Sequence, residues 1–201
     1  MEIDINILKL DDILNKEDYI LKYLNLDYNT SLENKYHYQE DYLRKLGSLY
    51  FIKKYIGDDI SYNYYGKPLS PNIYFNISHS GSYVIFSKSS YDIGIDIEEI
   101  KDYDIDILNY SMNKQEISKI NNNQDFYKYW TLKESLLKCI GIGLNDDLKN
   151  INIDFGIYQY QNNIYSSTYL FYDNHVISLT IKHNEQININ FLEETIWINF
   201  I

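Results

Sequence analysis

The chain has 201 residues, 45% hydrophobic and 23% charged, enough for one large domain or two small joined ones around a real core. Its 18 Lys and Arg stand against 29 Asp and Glu, and the net charge of −11 argues against nucleic acid or an anionic membrane as main partner. One cysteine, Cys139, excludes an internal disulfide; with no basic leader and no run of about eighteen apolar residues, a soluble, cytoplasmic protein is expected.

Ile3, Ile5 and Ile7 alternate with polar residues and predict an opening strand, followed by a short helical stretch through Leu14 and Leu21. Leu43, Leu46 and Tyr50, with Leu49, Ile52 and Ile56 beside them, predict a helix from Asp41 to about Ile56, ended by Gly57. Strands are expected at Ile73–Ile77, Tyr83–Ser87 and Ile93–Ile97. Asn113 and Glu116 have the spacing of a reciprocal helix cap. A longer helix is expected from Gln124 to Ile140, stopped at Gly141. Phe126 and Trp130, four apart on it, read as helix core. Further strands are expected at Ile151–Phe155, Ile164–Tyr172, Val176–Lys182, Ile187–Leu192 and Ile196–Phe200. The pattern is an α+β fold of two similar subdomains, residues 1–102 and 103–201, each a long helix packed on a small, mostly antiparallel sheet. No sequence repeat links the halves.

Two segments carry the chemistry. In Gly94-Ile95-Asp96-Ile97-Glu98 a strand would place both carboxylates on one face, ~6.6 Å apart along the chain, suited to converging on one hard cation. In Trp130-Thr131-Leu132-Lys133-Glu134-Ser135-Leu136-Leu137-Lys138 a helix would place Glu134 and Lys138 on a common face. Three carboxylates beside a cation suit a Mg²⁺–phosphate site. Taken singly, Asp96 and Glu98 also read as a solvated strand face, and Glu134 with Lys138 as a surface pair. Upstream, Gly66-Lys67-Pro68 puts a cation on a tight turn. Phe75-Asn76-Ile77-Ser78-His79-Ser80-Gly81 ends a strand with donors that can face phosphate. The joint occurrence of these segments favours one site. Neither a G-x-G-x-x-G nor a Walker loop is present, so nothing supports another kind of nucleotide enzyme.

These four segments, with Gly141-x-Gly143-Leu144 closing the last, resemble the 4′-phosphopantetheinyl transferases of the larger, two-subdomain type, over roughly residues 40–145. The resemblance implies a pseudo-dimeric fold in a monomer that moves 4′-phosphopantetheine from coenzyme A to a serine of an apo acyl or peptidyl carrier protein. Adenosine 3′,5′-bisphosphate is released. It implies Mg²⁺ held by Asp96, Glu98 and Glu134, with Glu134, Lys138 and His79 as catalytic residues. Lys67, Ser78, His79, Arg44, Lys45 and Lys138 are the implied CoA contacts, with Lys35 a further candidate for the 3′-phosphate. For the carrier, Lys101, Lys114, Lys119 and Lys128 offer a basic strip and Ile105, Ile107, Leu108 and Met112 apolar contact. The alternative is a catalytically silent CoA- or carrier-binding module on the same fold.

Overall fold

The computed structural model describes residues 1–26, 36–143, 148–194 and 196. Lys35, Leu144 and all but the first residue of the strand expected at Ile196–Phe200 lie outside the described residues. The chain opens with β1 (Glu2–Lys9), α1 (Leu10–Asn15) and α2 (Glu17–Tyr23), then the long α3 (Gln39–Tyr55). A short ribbon, β2 (Ser61–Tyr62) and β3 (Pro68–Leu69), precedes β4 (Tyr74–Ser80), β5 (Tyr83–Ser89) and β6 (Ile93–Glu99). Then follow α4 (Ile105–Ser111), α5 (Lys114–Ile117) and the long α6 (Asn123–Ile140). Four strands close the described chain: β7 (Gly156–Tyr160), β8 (Asn163–Tyr172), β9 (His175–Ile181) and β10 (Asn188–Glu193).

Two four-stranded sheets result, ordered β10-β1-β5-β4 and β6-β9-β8-β7. All their pairings are antiparallel except β1 with β10. The fold is α+β, as the sequence predicts, with one long helix on each sheet. The layering follows from the two-residue period of the strands. Leu8, Val84 and Phe86 point to one side and pack on Leu43, Leu46 and Phe51 of α3. Ile3, Ile5, Ile7 and Ile85 point to the other and meet Ile95, Ile97, Ile177 and Leu179 of the second sheet. Beyond that sheet, Leu132, Leu136 and Leu137 of α6 form a further core with Ile151, Ile153 and Tyr165.

The sheets do not divide at residue 102. β6 joins the strands of the second half, and β10 pairs with β1, so each sheet takes one strand from the other half. The first short helix is two pieces, broken at Lys16 with φ −122° and ψ 17°. Ile151–Phe155 is not a strand: its buried isoleucines dock under α6 without a ladder partner, and the strand begins instead at Gly156. α4 forms where the sequence suggests only a connection. Among the described residues, no helix is long and apolar enough to cross a membrane.

Candidate active site

α6 lies against β6 at Gly94, where no side chain separates the two backbones. The helix is seated further by buried hydroxyls: Thr131 Oγ1 meets Ser178 Oγ at 2.7 Å, and Ser135 Oγ meets Thr180 Oγ1 at 2.7 Å. With Ile95 and Ile97 committed to the inter-sheet core, Asp96 and Glu98 take the opposite face of β6, the one α6 covers. Glu134 and Lys138 come down on them from one face of the helix. Gly141, at φ +82°, ends α6 in the left-handed region expected of a glycine cap.

Asp96 is only 2% exposed. Its Oδ1 accepts from Lys138 Nζ at 2.5 Å and from Ser78 Oγ at 2.9 Å. Its Oδ2 is buried with no hydrogen-bond partner among the described residues. Glu98 Oε2 accepts from Ser80 Oγ at 2.8 Å. Removal from water, then the Asp96 charge, push the Glu98 pKa up to about 7; Ser80, Lys138 and the Trp130 indole oppose the rise. Burial and then Asp96 push Glu134 up to about 7 as well, with Glu98 adding and Lys138 opposing. Three carboxylates thus share a poorly solvated site that is short of positive charge. Among the described residues, no group of three or more His, Cys, Asp or Glu side chains is placed so that it could by itself hold a metal ion.

β4 supplies a second row of polar groups. Ser78 and Ser80 lie within the strand, not on a turn after it, and the turn comes at Gly81. Phe75 and Ile77 pack toward α3, and His79 shares their side by alternation. Partial loss of solvation, then the positive charges of Lys138 and Arg44, lower its pKa. Arg44 donates twice to the Gly81 carbonyl, at 3.2 and 2.7 Å, and pairs with Asp41 and Glu40. Lys45 makes no ion pair with any described residue. Lys67 is turned inward: its Nζ donates to the carbonyls of Cys139, at 3.0 Å, and Ile93, at 3.2 Å, and burial lowers its pKa.

Several residues behave differently from their sequence reading. Trp130 is not simply helix core: it stacks on Phe126 and its indole reaches Glu98. Lys133, given no part by the sequence pattern, is buried opposite the site, where its Nζ donates to Glu116 Oε2 at 2.6 Å and to the Ser111 and Leu148 carbonyls. Glu116 also completes the cap expected with Asn113. Leu108 and Met112 are buried beside Phe126, leaving Ile105, Ile107 and Tyr110 exposed on α4. Lys101 pairs with Glu99, Lys119 lies 3.9 Å from Asp154, and Lys128 sits over the Phe155 and Tyr169 rings. A free basic strip therefore does not form from these three.

Residues 92–191, which hold β6 and α6, match the 4′-phosphopantetheinyl transferase superfamily. The chain is 40% identical over 99 residues to the 4′-phosphopantetheinyl transferase gsp of Aneurinibacillus migulanus, covering 46% of this chain and 42% of that protein. To the 4′-phosphopantetheinyl transferase ffp of Bacillus subtilis it is 30% identical over 154 residues, covering 68% of each. To the 4′-phosphopantetheinyl transferase Sfp of Bacillus subtilis strain 168 it is 39% identical over 98 residues, covering 44% of each. The match thus spans less than half the length of gsp and Sfp and about two thirds of ffp. With the carboxylate strand and its helix inside the matched region, the chain belongs to the 4′-phosphopantetheinyl transferase superfamily.

Proposed function

We propose that this protein, acting as a monomer, transfers the 4′-phosphopantetheine group of coenzyme A to a serine hydroxyl of an apo acyl or peptidyl carrier protein. The observation that carries the reading is the buried Asp96, with an unpartnered Oδ2, beside two carboxyl groups whose pKa values are pushed up to about 7. Such a cluster favours a cation. Its donors are all oxygen, which fits Mg²⁺, an ion usually held by one or two carboxylates plus substrate phosphate rather than a full protein cage. Asp96, Glu98 and Glu134 would hold it. When bound, Mg²⁺ neutralises charge on the CoA diphosphate and improves the adenosine bisphosphate leaving group.

The chain's own residues do the rest. Glu134, a carboxylate on the α6 face that meets Asp96, accepts the serine proton. The serine oxygen forms the new bond to phosphorus, and the bond from that phosphorus to the adenosine bisphosphate oxygen breaks with its electron pair. Lys138 brings its ammonium to the same point from α6 and follows the negative charge of the phosphates. His79 and Arg44, grouped at the end of β4, serve with Lys45 as donors to the nucleotide's phosphate. Lys67 supports them from behind, tying its turn to β6 and the end of α6. Ile105, Ile107 and Tyr110, exposed by 59, 45 and 64%, give the carrier an apolar landing on α4.

Asp96→Ala and Glu134→Ala test the reading. Both are expected to keep native circular dichroism and to lose transfer to an apo carrier. Full activity in either would overturn the assignment.

A further inference from the structure

β4 and β6 lie side by side but belong to different sheets, and side chains do the joining. Asn76 Oδ1 accepts from the Ile95 N–H at 2.9 Å, Ser78 Oγ from Ile97 at 3.4 Å, and Ser80 Oγ from Glu99 at 3.1 Å. The three rungs recur every second residue, and each spans nineteen positions of chain. Two of them do more than join strands. Ser78 Oγ also donates to Asp96 Oδ1, and Ser80 Oγ donates to Glu98 Oε2.

A hydroxyl has one donor and two acceptor positions. Ser78 uses all three, donating to Asp96 and accepting from Ile97 N–H and Lys138 Nζ. In this arrangement its proton is committed to Asp96. Ser80 spends its proton on Glu98. Each serine is locked to β6 backbone and points its proton at the carboxylate on the neighbouring residue. That is how an outer shell fixes the orientation of a metal-binding carboxylate.

We propose that Ser78 and Ser80 are positioning residues, holding the Asp96 and Glu98 carboxylates in the orientation from which they bind a divalent cation. The proposal rests on the function proposed above and assigns the Ser-x-Ser pair a part in it. Asn76 provides the internal control, because its rung joins the strands without touching a carboxylate.

The test is Mn²⁺ binding by calorimetry to the full chain, with and without CoA, for the native protein and for Ser78→Ala, Ser80→Ala, Ser78→Thr and Asn76→Ala. Thermal melting gives the folded fraction of each. The expected result is an affinity loss of about tenfold or more in both alanine variants, with Ser78→Thr near native. Asn76→Ala should lose thermal stability while its folded fraction keeps native affinity. Native Mn²⁺ affinity in folded Ser78→Ala and Ser80→Ala, or an equal loss in Asn76→Ala, would overturn the proposal while leaving the transferase reading standing. A native protein that binds no Mn²⁺ even with CoA would overturn both.

Discussion

Gly94 and Ser135 are in backbone contact across the strand–helix interface: a Cβ built at residue 94 would sit 2.0 Å from the Ser135 carbonyl oxygen and 2.3 Å from the Cys139 nitrogen. Neither atom belongs to a side chain that can turn aside. The glycine therefore sets the depth at which α6 lies on β6, and with it the distance of Glu134 and Lys138 from Asp96. Gly94→Ala should cost about 3 kcal/mol, the upper end for overpacking, and should lower transfer even in the fraction that folds. Urea denaturation with a single-turnover assay checks both; a native-like, active alanine variant would contradict the packing argument.

Lys133 and Glu116 form a buried pair, side chains 1% and 6% exposed, at the opposite face of the same helix. Removing one partner leaves an uncompensated buried charge, a loss of about 3–5 kcal/mol. Lys133→Ala should unfold at markedly lower urea. Lys133→Met combined with Glu116→Gln should recover part of the loss, because neither charge is then stranded.

The raised carboxyl groups predict a pH dependence with a defined sign. Between the ordinary value of 4.5 and about 7, Glu98 and Glu134 hold protons in the folded chain that the unfolded chain has released. Their contribution to stability therefore falls as pH rises through that window and is least above pH 7. In EDTA, the melting temperature of the native protein relative to Glu98→Gln and Glu134→Gln should drop between pH 5 and pH 8. Each kcal/mol is worth about 2–4 °C for a chain this size. Mg²⁺ should restore more at pH 8 than at pH 5; a difference independent of pH would contradict the clustered-carboxylate picture.

Ile107 and Tyr110 are three apart on α4 and share a face. Ile107→Asp should raise the KM for the carrier protein about tenfold or more and leave the KM for CoA unchanged. A change in the CoA term instead would place the carrier elsewhere.

Local signals were the legible part of this fold. The period of two in Ile93, Ile95 and Ile97, the Asn113–Glu116 cap and the Gly141 stop each act within a few residues, and each is found where its pattern points. Long-range pairing was not legible: nothing in the chain announces that β10 crosses to β1, or that β6 leaves its neighbours β4 and β5 for β9. The same limit applies at the site. Asp96, Glu98, Glu134 and Lys138 stand out by spacing, but the Ser78–Asp96 and Lys133–Glu116 bonds join positions 18 and 17 residues apart, on elements whose contact only the fold creates. The backbone bonds of Lys67 were hidden for the same reason. A lysine on a Gly-Pro turn reads as a free cation until the end of α6 arrives to bind it.

The most direct measurement is intact-protein mass spectrometry of an apo acyl carrier protein and an apo peptidyl carrier domain. Each is incubated with this protein, CoA and Mg²⁺, with and without EDTA. The account predicts a gain of one phosphopantetheinyl group on at least one carrier, abolished by EDTA and restored by excess Mg²⁺. No gain on either carrier, or a gain indifferent to EDTA, would contradict it.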